Sequence, residues 1–420
     1  MTEHTLSAEQ RQIVDLLNDH RTGNVFITGK AGTGKSFVLR EFQRTTNKRI
    51  VVSASTGIAA LNVSGMTLHR LAGLGTGIPA DQHIDMPRVK SNRRWLNAID
   101  TIVIDEISMV SADLLDSVDR NLREIRGRDE PFGGIQLFMF GDIYQLPPVV
   151  RSDDQKIYDA LGYRSAWFFD AHVWREVPFS TVEMSRVHRQ DDPVFKDLLN
   201  AVRDGTATDK QVGLLNHVGA RDGKTEDALL LGGTNAIVLA RNMSKLHALP
   251  GHQVVFEARK QKGFGWDSPV EMTIPIKIGA HVMLLTNDRE DRWVNGSRAQ
   301  VISILDDSVQ VEMVDSGERH LVGRHTWVPD GTAPENYALA PKFHQLPLKL
   351  AWAITSHKSQ GLSLPEIEVD FGPHGAFAPG QTYVALSRVT SPGGLYINTP
   401  LTMADIMVDK HVARFFRGLH

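Results

Sequence analysis

Residues 24–36 read NVFITGKAGTGKS, an apolar run that empties into a glycine-rich loop and then a Lys-Ser pair. The pattern G-x-x-x-x-G-K-[ST] is complete, with Gly29, Gly34, Lys35 and Ser36. Gly32 and Thr33 lie inside the loop. With few Cβ atoms in the way, its backbone N–H groups can turn inward around a phosphate, and a helix opening at Ser36 aims its positive end at the same charge. Lys35 then reaches the β and γ phosphates of a nucleoside triphosphate such as ATP, and the Ser36 hydroxyl ligates Mg²⁺. A strand feeding such a loop commits the chain to an α/β fold with a parallel sheet. It does not say what the triphosphate is used for.

With 420 residues the chain is too long for one growing core, so two to four domains are expected. It has no cysteine, which excludes disulfides and Cys-ligated zinc and fits a cytoplasmic setting. No run approaches 18 apolar residues and MTEHTLSAEQ has no basic-then-apolar signal, so neither a membrane partner nor a targeting segment is expected. Formal charge is −3, from 46 basic and 49 acidic residues. Bulk charge therefore gives no support to a polyanion partner, although a narrow channel needs only local positive potential.

In TLSAEQRQIVDLL (5–17), Thr5 or Ser7 can cap a helix whose stripe is Ile13, Val14, Leu16 and Leu17. The amide of Gln10 offers a donor and an acceptor that suit an adenine edge, though an ordinary surface Gln reads the same way. Thr56, Ser64, Thr67 and His69 follow the next strand, where short polar groups suit backbone contact with a phosphodiester chain, or simply caps and turns. IDTIVIDE (99–106) is a second buried strand ending in Asp105, suited to the Mg²⁺ shell, and Glu106, suited to orienting or deprotonating water. IQLFMFGD (135–142) leads to Gln145, whose amide at a third strand end can touch a γ-phosphate; a loop Gln before Pro-Pro is the plainer reading. The aromatic residues of 150–175 are expected to seal the first lobe against its neighbour. TVEMSRVHRQ (181–190) presents Arg186, His188 and Arg189, and a guanidinium reaching across a cleft would stabilise transition-state charge. Residues 229–246 read strand, turn, helix without a Lys-Ser pair, and 254–345 read as short strands and turns. His357, Lys358, Ser359, Gln360 and Gly361 then crowd the end of an apolar strand, a density that argues for a charged ligand. Arg388 closes YVALSR.

Together these stretches resemble the superfamily 1B DNA helicases, in the branch that groups the petite-integration-frequency helicases with RecD-like enzymes. TLSAEQ resembles the Q motif, GKAGTGKS motif I, STGIAA and TLHRL the motif Ia region, and IDEISM motif II. GDIYQLPPV, SRVHRQ, ITSHKSQGLSL and YVALSRVTS are similar to motifs III to VI, in order. The resemblance implies that Gln10 contacts adenine and that Gly29, Gly32, Thr33, Gly34, Lys35, Ser36 and Gly361 belong to the nucleotide site. It implies Ser36 and Asp105 on the metal, Glu106 as base, Gln145 as γ-phosphate sensor, and Arg189 and Arg388 as finger arginines. Thr56, Thr67, His69, Thr355, His357 and Lys358 fall in segments that contact single-stranded DNA in that family.

The implied architecture is two RecA-like lobes with a small 1B element and an inserted SH3-like subdomain. Its divisions are 1–69 and 91–180 for lobe 1A, 70–90 for 1B, 181–257 and 346–420 for lobe 2A, and 258–345 for 2B. The implied activity is ATP- and Mg²⁺-dependent 5′–3′ movement on single-stranded DNA with unwinding of 5′-tailed duplexes, by a chain that can work as a monomer. G-quadruplexes and DNA–RNA hybrids are further candidate partners. Two alternatives stay open: a P-loop phosphotransferase acting on a small molecule, which leaves the arginine segments without work, and a non-motor nucleotide-dependent DNA-binding module.

Overall fold

The computed structural model describes residues 6–55, 59–60, 63–74, 95–150, 155–190, 192–220, 223–225, 228–264, 270–288, 290, 292–328 and 338–418. Most of the expected 1B element (75–90) and Thr56 lie outside these residues.

Alternation of buried apolar strands with amphipathic helices builds the first lobe. Asn24–Gly29 (β1), Ile50–Ala54 (β2), Met66–Thr67 (β3), Thr101–Asp105 (β4), Gln136–Phe140 (β5) and Phe179–Met184 (β6) form one parallel sheet, in the order β3-β2-β4-β5-β1-β6. β1 lies inside the sheet between β5 and β6, so the loop that follows it opens at the carboxyl edge beside the end of β5, with the end of β4 one strand further on. Helix Ala8–Asn18 (α1) is capped by Ser7 in a capping box with Gln10. Its Ile13, Val14 and Leu17 are buried, whereas Leu16 faces outward. Helix Lys35–Thr45 (α2) buries Val38, Leu39 and Phe42 against the same face of the sheet.

The second lobe is a four-stranded parallel sheet, with Ala353–Thr355, Leu229–Gly232, Ile367–Asp370 and Leu395–Ile397 side by side. Helix Pro193–Asp204 packs Phe195, Leu198 and Leu199 into its core. Between the first two strands in sequence comes an antiparallel β unit. Its main sheet orders Arg319–Gly323, Ser308–Met313, Arg298–Ile304, His281–Leu284 and Leu348–Leu350 over a separate core that includes Val282, Val301 and Val311.

Three expected boundaries shift. The division at 180/181 falls inside β6, which pairs with β1 along its whole length, so the first sheet runs to Met184. The β unit's strands run from Val254 to Leu350, beyond 258–345 at both ends. The closing helix Lys410–Arg417 leaves the second lobe: Val412 joins the first lobe's core, and Phe415 stacks on Phe169 at 4.2 Å. Trp167 Nε1 donates to Asp409, the cap of that helix, at 3.1 Å. The 150–175 aromatics therefore seal the first lobe against the chain's own last helix. Among the described residues no helix is long and apolar enough to cross a membrane.

Candidate nucleotide and nucleic-acid cleft

The ends of both parallel sheets open into one cleft of about 1980 Å³. On its first-lobe wall the loop is braced from three sides. Gln10 Nε2 donates to the Thr33 carbonyl at 3.2 Å, His188 N donates to the Gly32 carbonyl at 2.7 Å, and Ala31 N donates to the Tyr383 hydroxyl at 2.7 Å. Two of its glycines are required by these neighbours. Gly34 has φ 89°, and a Cβ there would lie 2.5 Å from Gln10 Nε2; Gly32 has φ 80°, and a Cβ there would lie 2.5 Å from the Arg189 Cβ. Gly29 ends β1. Gln10 is thus a loop brace in this state, with its Oε1 taken by the Ser7 N–H.

Lys35 Nζ donates to the carbonyls of Gly29 and Lys30, at 2.7 and 3.1 Å. Burial pushes its pKa down, partly offset by Asp142 and Glu106. Ser36 is exposed to the cleft on the first turn of α2. Asp105, at the end of β4, accepts the Glu106 N–H at 3.0 Å. Burial, then the neighbouring Glu106, push its carboxyl up to about 7. Glu106 takes a left-handed backbone, φ 50°, unusual for a residue with a Cβ and a conformation that marks functional sites. Burial raises its pKa too, against the pull of Lys35 and Arg388. Gln145 is buried and accepts from Gln360 Nε2 at 3.0 Å, and the same amide nitrogen lies 3.4 Å from Glu106 Oε2.

Arg388, on the second lobe, and Arg189, on the segment that joins β6 to helix Pro193–Asp204, reach the same cleft. Arg189 donates to the Ser387 carbonyl at 2.8 Å; burial, and then Arg388, push its pKa down to about 10. Arg388 is 1% exposed and donates to the Val384 carbonyl and the Ser387 hydroxyl. Burial lowers its pKa against the attraction of Glu106. Among the described residues neither guanidinium has a carboxylate at ion-pair distance. A buried charge left that way costs several kcal/mol by order of magnitude, which an incoming anion would offset. Arg186 instead lies outside the cleft lining, its backbone N–H 3.4 Å from Glu9.

Thr355, His357, Lys358 and Gly361 also line the cleft. The Thr355 hydroxyl accepts the Lys358 N–H and caps the turn Ser356–Ser359. Thr67 caps the short helix Leu68–Ala72, which carries His69, and neither of the two lines the cleft.

Sequence reasoning named the arginines but missed what ties the lobes together. Asp142, just past β5, accepts from Arg203 Nη2 and Nε at 3.2 and 3.3 Å and from the Tyr383 hydroxyl at 3.0 Å. Burial opposes its charge, yet Arg203 and Lys35 hold its pKa below the ordinary value. Arg203 also lies 4.1 Å over the Tyr144 ring. Gln360, passed over in favour of Gly361, bridges Gln145 and Glu106 from the opposite lobe. Asp142 and Tyr383 stand inside the quoted GDIYQLPPV and YVALSRVTS segments; Arg203 lies in none, and only packing reveals it.

Comparison with known proteins agrees over the whole length. Residues 5–213 match the family model described as PIF1-like helicase, and 345–415 match one described as Helicase. The ATP-dependent DNA helicase PIF1 of Xenopus laevis is 36% identical over 406 residues, covering 93% of this chain and 61% of that protein. The chain thus spans about three-fifths of that relative's length. The ATP-dependent DNA helicase Pif1 of Bdellovibrio bacteriovorus is 34% identical over 427 residues, covering 99% of this chain and 92% of that one. A crystal structure of a Bacteroides Pif1 helicase in complex with ADP-AlF3 and single-stranded DNA matches with a TM-score of 0.84 at 33% identity, over 99% of this chain and 97% of that one.

Proposed function

This chain belongs to the PIF1-like helicase family, and from that premise we propose that it is an ATP-dependent DNA helicase that moves 5′–3′ along single-stranded DNA. The observation that carries the reading is the pair of guanidinium groups, Arg388 buried and Arg189 half-buried, that share a cleft with Lys35 and have no carboxylate at ion-pair distance among the described residues. A triphosphate between them satisfies both walls at once and draws the lobes together.

In this scheme the loop amides and Lys35 hold the β and γ phosphates, while Arg189 and Arg388 stabilise the charge that develops on the transferring group. Gln10 and Gly361 border the nucleotide. Glu106 accepts a proton from the attacking water, and Gln145 registers the γ-phosphate through its bond to Gln360 of the other lobe. The donor set at the metal position is the Ser36 hydroxyl and the Asp105 carboxylate. Among the described residues no cluster of three acidic or His side chains could hold a metal by itself. Two hard oxygen donors fit Mg²⁺ arriving with phosphate oxygens and its own waters. When bound, Mg²⁺ supplies charge neutralisation on those oxygens.

Loss of the γ-phosphate removes the bridge, and the lobes part. Thr355, His357 and Lys358, on the second lobe, then shift against first-lobe contacts in the Thr56–His69 region, which moves the chain along the DNA backbone. Contacts mainly to phosphate make binding salt-sensitive and weakly dependent on sequence. In this reading the antiparallel β unit is the SH3-like 2B subdomain and 70–90 the 1B element. Both arginines and the loop belong to one chain, so a monomer completes the ATP site. The matched Bacteroides helicase, seen with single-stranded DNA and ADP-AlF3, supports DNA and nucleotide as joint ligands.

Strand separation on matched 5′-tailed and 3′-tailed duplexes tests the proposal, with ATP turnover followed at the same time. Unwinding of the 5′-tailed substrate alone, with turnover raised by single-stranded DNA, is expected. Turnover indifferent to DNA would return the phosphotransferase reading, and unwinding only from a 3′ tail would reverse the direction.

A further inference from the structure

Where the second parallel sheet meets the antiparallel β unit, two lysines stand side by side. Lys349 lies on strand Leu348–Leu350, opposite Met283 of the neighbouring strand. Lys358 lies in the turn that follows strand Ala353–Thr355. Their side chains come within hydrogen-bonding reach of one another, and both line the cleft. Lys349 is half-buried, Lys358 exposed. Among the described residues neither ammonium has a carboxylate at ion-pair distance, and Glu271 is the acidic group that acts on Lys349 from further away. Two adjacent cations repel and gain nothing from each other, unless an anion sits against both.

We infer that Lys349 and Lys358 together form a subsite for one phosphodiester group of the bound DNA strand. The inference rests on the helicase reading above and adds to it a residue, Lys349, outside every motif segment quoted for the family. The tetrahedral anion suits the place, because two point charges on flexible stems can each reach a different non-bridging oxygen. Met272, Leu285 and Val294 line the same cleft and offer carbon surface to a base face.

One consequence is specific to this pair. Burial, and then the charge of Lys358, push the Lys349 ammonium down to about 7 in the free protein. A phosphodiester beside it favours the charged form, so binding above that pH takes up a proton. Below it the ammonium is already charged and nothing is taken up. Affinity for DNA should therefore be level below about 7 and weaken above it, approaching roughly tenfold per pH unit. Burial lowers the pKa of His357 next door.

The measurement is fluorescence anisotropy of a labelled oligothymidylate, at fixed salt from about pH 6.5 to 9, with the full chain, Lys349→Met and Lys349→Arg. The wild type should show the slope. Lys349→Met should bind roughly tenfold more weakly at pH 6.5, without the slope, and with a salt dependence shallower by about one. Lys349→Arg should bind tightly and stay level in pH, which separates a lost charge from a damaged fold. A wild type that binds with level affinity, or a Lys349→Met variant with wild-type affinity and slope, overturns the subsite and leaves the helicase reading standing. Absence of any DNA binding by the wild type sinks the helicase reading itself. If the loss appears instead in the KM for ATP at saturating DNA, the lysines serve the nucleotide's phosphates and the inference fails.

Discussion

Replacing Tyr383 by Phe keeps the ring in the second lobe's core and deletes one oxygen. That oxygen accepts the Ala31 N–H at 2.7 Å and donates to Asp142 Oδ2 at 3.0 Å. Ala31 and Asp142 belong to the first lobe and Tyr383 to the second, so each bond lost is one that joins them. Losing a hydrogen bond to a charged group costs about 1.5–3 kcal/mol, and leaving a buried N–H unpaired about 1–3. A water entering the vacated space recovers part of this, so about 2–4 kcal/mol should be lost from lobe docking. At 1.4 kcal/mol per tenfold, that is a factor of about 30 or more in the docked population. The ion pair left behind is a long one, with Arg203 at 3.2 and 3.3 Å from Asp142, and does not replace the phenol. The assay is steady-state ATP hydrolysis with saturating single-stranded DNA, beside equilibrium binding of a fluorescent ADP. Turnover should fall at least about tenfold, while ADP, held mainly by the first lobe, binds within about threefold of wild type. Unchanged turnover refutes the role assigned to the phenol. An equal loss in both measurements would show that the hydroxyl shapes the loop rather than the lobe contact.

Glu106→Gln should keep ATP binding while turnover falls roughly 10²- to 10⁴-fold, the range for lost general acid–base help; robust turnover would rule it out as the base. Gly32→Ala places a methyl 2.5 Å from the Arg189 Cβ at φ 80°, and a displacement of the arginine by about 1 Å is worth roughly 10² in rate. Turnover within twofold of wild type, on the order of 0.4 kcal/mol, would show that the loop does not position Arg189. Phe415→Ala removes the ring stacked on Phe169 and should lower stability by about 2–4 kcal/mol, read as a lower urea midpoint for the first lobe; an unmoved midpoint would mean that the last helix is not part of that core.

The nucleotide loop was legible because its geometry is local. Gly29 to Ser36 need only their own backbone, the strand before and the helix after, and those three follow from contiguous residues. The position of Asp105 and Glu106 was legible for the same reason, since both stand at the end of an apolar run. The Gln10 amide was named from the sequence, but the surroundings in which it braces Thr33 come from residues folded back over the loop. The boundary placed at 180/181 erred because a strand's sequence does not say which sheet it joins. FSTVEM pairs with β1, more than 150 residues earlier in the chain.

From its sequence alone, then, the chain determines an α/β fold, a glycine-rich loop between strand and helix, and the order of the segments that can face it. Tertiary structure alone decided that Arg203 would meet Asp142, that Tyr383 would hold the loop, that Lys349 would stand against Lys358, and that the last helix would dock on the first lobe. The physical reason is the range of the interactions. Backbone conformation and hydrophobic periodicity act between near neighbours, whereas a helix with an apolar face buries the same area on either lobe. A buried charge, for its part, is matched only by whatever the completed packing brings within reach.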